Sequence, residues 1–597
     1  MRNIDLAKYI LLAGSLISPH VELSYIGMFF PREFVLLVCL ALLSGVAFIE
    51  YSSKTVPFGI TNADSFALLF YLFIVANTFL FHHPFKNLEG FLLATGLFCA
   101  YVVYRITFRQ IADYAILLTI ATSPLVIELL ISGAQYFGAI PSSNPFFAVT
   151  GSFNNPGILA GYSAICLPVS LHLFLTYGED SSRRRVYQLT GLNTLAAVLL
   201  LVLSGSRGAI LAAVLSCSYI LFIHFEPGKR IGKIRNAQWI LAGVSIPVVL
   251  GIAVYLYLLR PESAAGRLFV WKNTLSMIKE QPLLGVGTGN FSAEYAMAQQ
   301  QYFESNKPDA FELSVADSIL VPFNEILNLL AEQGIAGIAL LLLFSFFTLN
   351  NVQKGHHPKF AIECIYAAVA SFFVLSLTGY PSKSIGIMVT MLLLTALSNS
   401  GVSATWPSFK ASVQAALLTV TVSVCVLLWL GSGYFFQTLH YYNAGRAYAF
   451  MRQYKGANER YERCYTEMRH SSDFLLAYAS SLYQSGDYTK SLQILEDYDQ
   501  IAYSYESTLL KAKNYYAQKQ FRQALVFLEN AAHIIPSRFE PLYFQVQSHQ
   551  ELGQTDMAKQ AAARILALPV KIASDQVQTI REHARRVYSD DNQKNSL

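Results

Sequence analysis

From its start to about residue 435 the chain consists of apolar runs, each near the roughly 20 residues that a helix needs to cross a bilayer, separated by short polar breaks. Inside a bilayer, helices and closed barrels alone satisfy their own backbone groups. Candidate spans fall at 8–28, 33–50, 65–82, 88–105, 111–132, 157–177, 188–204, 208–225, 238–259, 325–349, 360–378, 384–399 and 411–435. Composition agrees. Of 597 residues, 54% are hydrophobic and 14% charged, against about 25% charged in an ordinary soluble chain. The N-terminus lacks a small-residue cleavage site and more spans follow at once, so it reads as a first span rather than a signal peptide. The expectation is an all-α polytopic transmembrane bundle of about 12–13 spans.

After residue 440 the text turns rich in Tyr, Gln, Glu and Lys. The stretches QYKGANERYERC (453–464), GDYTKSLQIL (486–495), KQFRQALVFL (519–528) and GQTDMAKQAA (553–562) begin 33, 33 and 34 residues apart. That period with helical patterning predicts tetratricopeptide repeats stacked into a soluble α-solenoid. Ala477, Tyr478 and Pro536 fit the repeat pattern. Two domains follow: a membrane domain over 1–437 and a repeat domain over 438–597. The solenoid offers a groove for a protein partner, or serves only as a spacer.

Lys and Arg in short loops favour the cytoplasm. Arg105 and Arg109, Arg183 to Arg185, Lys229, Arg230, Lys233 and Arg235, and Lys354 and Lys359 all fall on one side when the spans alternate, with the N-terminus cytoplasmic. The outer face then receives TGSFNNPG (150–157), LSGSRGA (203–209), the long loop 260–324, TGYPSKS (378–384) and, with an odd number of spans, the repeat domain. The net charge of +5 is dispersed, which argues against nucleic acid. Of seven cysteines, six lie in apolar runs and no CxxC pair occurs, so neither disulfides nor a metal site is expected.

The unusual residues gather on the outer face. Arg207 is squeezed between two apolar runs, where a charge is costly and functional unless it snorkels to the interface. The segment Arg267–Glu280 reads as an amphipathic helix, with Leu268, Trp271, Leu275 and Ile278 on one side and Lys272 and Lys279 facing water. GVGTGNF follows no strand, so it reads as a turn placing Asn290 and Phe291 rather than a nucleotide loop. Asn154 and Asn155 before Pro156 suit a helix start, and their amides also suit sugar hydroxyls. His82 and His83 lack further ligands at metal spacing and read as interfacial. Glu325, Asn328 and Glu332 share one helical face as the chain re-enters the membrane.

Taken in order, GSFNNPGILAGY, LSGSRGA, RLFVWKNTL…PLLGVGTGNF and FNEILNLLAEQGIAG resemble the O-antigen ligase family, whose superfamily includes the protein O-oligosaccharyltransferases. The resemblance covers roughly residues 145–400. It implies a bacterial inner-membrane glycosyltransferase with a periplasmic site. Such an enzyme takes a glycan from undecaprenyl diphosphate and passes it to lipid A–core or to Ser/Thr of a protein, with no cofactor and no metal. The family's diphosphate-binding arginines fall on Arg207 and Arg267, with Lys383 a further candidate contact. Asn154, Asn155 and Trp271 are candidates for glycan or acceptor binding. The family's proposed base, a His before the motif Asn, is here Phe323. Glu325 or Asp317, beside Asn324, is the expected substitute, with loss of transfer as the alternative. A polymerase on the same carrier and a non-catalytic scaffold recruiting partners through the repeats stay open.

Overall fold

The computed structural model describes residues 3–21, 32–53, 59–81, 88–111, 113–178, 180–225, 261–306, 308–402, 423, 426, 437–570 and 573–589. Every element among them is helical. Among the described residues, eight helices are long and apolar enough to cross a membrane: Asn62–Phe79, Leu88–Thr107, Tyr114–Tyr136, Pro156–Tyr177, Ser181–Ser204, Arg207–Phe225, Glu325–Lys354 and Lys359–Thr378. Two shorter apolar helices, Val35–Glu50 and Ile385–Ser398, coincide with two further candidates. Helix Asn3–Ile17 overlaps the front of the first candidate. The candidate 238–259 lies outside the described residues, as do 411–435 apart from residues 423 and 426, His82, His83 and the loop bearing Lys229, Arg230, Lys233 and Arg235.

Helix Pro156–Tyr177 is the axis of the bundle. It packs against Arg184–Ser204, Arg207–Phe225 and Lys359–Thr378. Its buried Ala160, Gly161, Ser163 and Ala164 let neighbouring backbones come close. Ser371 on Lys359–Thr378 donates to the Ala164 carbonyl at 2.7 Å and meets Ser216 at 2.9 Å, which ties three helices together. At one end of the bundle Arg183 contacts Asp113, and the Tyr114 hydroxyl lies 2.7 Å from His357 Nδ1. Three of the four basic loops therefore meet at that end.

Helix Glu325–Lys354 is broken at Gly334, whose φ of 61° and ψ of −169° are not helical. The segment after Pro282 fills the break. Val286 and Gly287 donate to the carbonyls of Ala331 and Glu332 at 2.8 and 3.0 Å, and Ile335 and Ala336 donate to those of Pro282 and Leu283 at 2.9 and 3.1 Å. Irregular backbone at membrane depth persists where protein satisfies it. Glycine is required on both sides of this crossing. A Cβ on Gly285, itself at φ 68°, would lie 2.5 Å from the Ala331 carbonyl, and one on Gly334 would strike the Leu283 backbone. Gly285, the first glycine of GVGTGNF, thus serves a backbone crossing.

The amphipathic helix occurs, as Pro261–Glu280, but its buried side differs from the apolar row read in the sequence. Phe269, Val270, Thr274 and Met277 face the protein, whereas Leu268 and Leu275 are exposed. The polar Asn273 and Thr274 share the buried side, which masks it in the sequence pattern.

In the C-terminal region each repeated stretch opens the second helix of a pair: Tyr454–Met468, Tyr488–Asp499, Phe521–Ile534 and Thr555–Ala567. The first helices are 437–450, Ser472–Ser485, Tyr505–Ala517 and Phe539–Glu551, and Asp575–Ser589 closes the stack. The turn within each pair needs a left-handed residue. Arg452, Gly486, Lys519 and Gly553 supply it, with φ of 58°, 88°, 61° and 69°. The equivalent small residues Ala457, Ser491, Ala524 and Ala558 are fully buried where paired helices touch.

The solenoid rests on the long loop. Ala296 of helix Phe291–Ser305 packs with Tyr505, Leu509 and Leu528. Gln299 Nε2 donates to the Ile534 carbonyl at 2.6 Å, Arg538 reaches Asp317 at 3.0 Å, and Tyr503 contacts Gln300. The repeats and the long loop therefore lie on the same side of the bundle.

Candidate functional site

A cleft of about 520 Å³ opens where segments 150–157, 203–209, 378–384 and the long loop converge. Its wall is largely apolar, with Phe147, Ile158, Leu211, Phe323, Leu375 and Ile387. The charged residues on it are Arg207 and Arg267, and no carboxylate lines it among the described residues.

Local geometry explains each placement. Gly205, at φ 60°, caps helix Arg184–Ser204 and turns the chain, so Arg207 becomes the first residue of the next helix. A guanidinium there adds to the positive end of the helix dipole. A Cβ on Gly208 would come 2.5 Å from the Thr378 hydroxyl, so this glycine admits the neighbouring turn. Asn155 caps helix Pro156–Tyr177 by accepting from the Gly157 amide at 2.7 Å, with Pro156 at the first helical position.

Arg267 donates to the Thr378 carbonyl at 3.0 Å, and its guanidinium carbon stands 5.5 Å from the Phe323 ring centroid. Burial, and then the charge of Arg207, pull its pKa below the ordinary arginine value. Two like charges held together, with no carboxylate on the wall among the described residues, make the cleft receptive to an anion.

Phe323 has a φ of 54°, a left-handed conformation uncommon for a bulky residue. Its neighbours over-determine it. Trp271 Nε1 donates to the Pro322 carbonyl at 2.8 Å, Asn324 donates to the Leu377 carbonyl at 3.2 Å, and the Phe323 ring lies edge-on to Tyr380 at 5.8 Å. Strain of this kind clusters at functional sites.

The remaining residues singled out in the sequence lie away from the cleft wall. Glu325 is buried and accepts from the Ser382 hydroxyl at 2.6 Å and from the Ser382 amide at 3.2 Å. Lys383 pairs with Glu332 at 3.2 Å. Asn324, Glu325 and Glu332 thus form a socket for the 377–383 turn. Asp317 is exposed and paired with Arg538. Asn154 is exposed beside the cleft, and its carbonyl accepts from Asn144 at 3.3 Å. The turn in that socket carries a residue not singled out in the sequence. Tyr380 lines the cleft, and its hydroxyl accepts from Asn155 Nδ2 at 2.8 Å. Burial raises the pKa of this phenol, offset in part by the Asn155 hydrogen bond and the Arg267 charge. A lone aromatic in a Gly–Pro turn between two spans was its only signal.

This fold and site define a polytopic helical membrane protein with a cationic, apolar-walled cleft at one end and a tetratricopeptide array on the same side. Residues 192–342 match the family described as O-antigen ligase, and residues 439–502 match the YpiA-like C-terminal tetratricopeptide repeats. The curated relatives include Rickettsia proteins named "Putative polysaccharide ligase". One from Rickettsia conorii is 28% identical, over 23% of this chain and 34% of that protein. One from Rickettsia felis is 24% identical, over 40% of this chain and 66% of that protein. The chain thus spans between a third and two thirds of these relatives. Among solved structures, yeast Tom70 aligns at 12% identity over 73% of this chain and 94% of that one, with a TM-score of 0.20, too low to carry structural information.

Proposed function

We propose that the protein transfers a glycan from an undecaprenyl diphosphate carrier to an acceptor hydroxyl, of lipid A–core or of a protein, at the periplasmic face of the inner membrane. The observation that carries this reading is the juxtaposition of Arg207 and Arg267 on an apolar wall that carries no carboxylate among the described residues. As the bond between the anomeric carbon and the diphosphate breaks, negative charge grows on the leaving group. Guanidinium forks in a water-poor site stabilise that charge more than the ground state. The acceptor oxygen attacks from the opposite side and inverts the anomeric carbon. With Phe323 where a base is expected and no carboxylate on the wall among the described residues, the acceptor proton leaves to water on the acceptor's face of the ring while the diphosphate departs from the other. Glu325 then acts through the turn that it holds.

The clustering of three basic loops at the far end of the bundle supports placing the cleft, and with it the repeat domain, outside the cytoplasm. A scaffold would have no use for two arginines brought together on an apolar wall, which favours an enzyme. The relatives' printed name supports a polysaccharide donor.

Deleting the gene and comparing lipopolysaccharide with glycoprotein profiles tests the proposal and names the acceptor. Glycan is expected to vanish from one of the two, to return with the wild-type gene, and to stay absent with Arg207→Ala. Unchanged profiles of both kinds would overturn it.

A further inference from the structure

We infer that the Tyr380 hydroxyl is a third anion-binding donor of the cleft, held by Asn155 so that its proton points to the diphosphate of a lipid-linked substrate. This rests on the cleft binding such a diphosphate and adds a group for which Arg207 and Arg267 do not account. The argument is one of hydrogen-bond inventory. Asn155 Oδ1 already accepts from the Gly157 amide at 2.7 Å. The other end of the amide is therefore its NH2 group, and Tyr380 Oη, 2.8 Å away, accepts a hydrogen bond from it. A hydroxyl that accepts keeps its own proton to donate. Among the described residues Tyr380 Oη has no acceptor for that proton, and it lines the same wall as both arginines. The turn that carries it is fixed at four points: Glu325 on Ser382, Lys383 on Glu332, Asn324 on the Leu377 carbonyl and Arg267 on the Thr378 carbonyl. A donor so held costs little to order when the anion arrives.

The test is a titration of detergent-purified, full-length protein with farnesyl diphosphate, with farnesol as the uncharged control. Tyr380→Phe keeps the ring against Phe323 and removes the hydroxyl. It is expected to weaken farnesyl diphosphate about tenfold, as loss of a hydrogen bond to a charged group does, and to leave farnesol unchanged. Asn155→Ser keeps a cap for helix Pro156–Tyr177 but cannot reach Tyr380, and about threefold weakening is expected. The double variant should bind no worse than Tyr380→Phe, because Asn155 acts through the phenol. Wild-type affinity in Tyr380→Phe, with loss of binding in Arg207→Ala and Arg267→Ala, overturns the role of Tyr380 and leaves the cleft standing. Additive losses in the double variant overturn the orienting role of Asn155. Undiminished binding in all of these variants overturns the diphosphate cleft itself.

Discussion

The Arg267 guanidinium carbon lies 5.5 Å from the centroid of the Phe323 ring. The residue that stands where a base was expected therefore presents its ring to the cation expected to hold the substrate. Such a contact is worth about 0.5–2 kcal/mol depending on desolvation. Phe323→Leu keeps the apolar wall and removes the ring quadrupole. It should raise the KM for the lipid-linked donor roughly threefold to thirtyfold, with little change in kcat. Steady-state transfer with purified protein checks this, and an unchanged KM would remove any role for the ring.

Arg207 and Arg267 are expected to act as forks rather than as point charges. Lysine keeps the charge but loses planar, bidentate donation. Arg207→Lys and Arg267→Lys should therefore each lower kcat/KM about 100-fold, within the range for loss of one oxyanion donor. The membrane-inserted amount on a blot should be unchanged. Retention of more than half the activity by either lysine variant would show that charge alone suffices there.

Glu325 and Asp317, equivalent candidates in the sequence, separate sharply in space. Both Glu325 oxygens accept from Ser382, so Glu325→Gln removes the charged acceptor that anchors the turn bearing Tyr380 and leaves one of the two contacts to be made by an NH2 group. Transfer should fall about tenfold or more, in line with loss of a charged hydrogen bond. Asp317→Asn breaks only an exposed ion pair with Arg538, worth about 0–1 kcal/mol. Transfer by that variant should stay near wild type. Abolition by Asp317→Asn would return the role of base to that residue.

The spans and the repeats were legible because each rests on a pattern that one sequence displays. Apolar runs have the length a bilayer demands, and one stretch recurs in four copies at a spacing near 34. The meeting of Arg207, Arg267, Phe323 and Asn155 was legible only through the ordered motifs, since nothing local brings residues 155 and 323 together. What stayed hidden is relational. Glu325 looks like chemistry on a helical face, yet the partner that occupies it, Ser382, is some fifty residues downstream, as is Lys383, the partner of Glu332. Tyr380 gives no signal until the Asn155 amide is seen to end on it. The buried face of Pro261–Glu280 includes Asn273 and Thr274, so a count of apolar positions picks the wrong side.

The docking of the repeats on the long loop predicts that the two move as one body. Ala296 is nearly buried among Tyr505, Leu509, Ala524 and Leu528. Ala296→Arg cannot fit there and should separate the surfaces while each repeat keeps its own core. Limited proteolysis should then cut faster within 300–320, and transfer should fall roughly threefold to tenfold as the chain leading to Phe323 loosens, a change within the usual 0.5–3 kcal/mol of a point mutation. A digestion pattern identical to that of the wild type would mean that the contact does not restrain the loop.

Glu294 carries a pH signature opposite to that of an ion-paired carboxylate. It lies in helix Phe291–Ser305, where burial, and then the neighbouring Glu280 charge, raise its pKa above the ordinary value. A carboxyl with a raised folded pKa holds its proton more tightly when folded. Its contribution to stability is therefore most favourable at low pH and is lost as pH rises from the unfolded value near 4.3 through the folded one. Glu294→Gln removes the charge that has to be buried. The variant should melt above the wild type at pH 7, and the two curves should converge as the pH approaches 4.3. Thermal melts of the detergent-purified protein across that range decide the matter, because a gap that widens on acidification would mean that the folded state prefers the charged carboxylate.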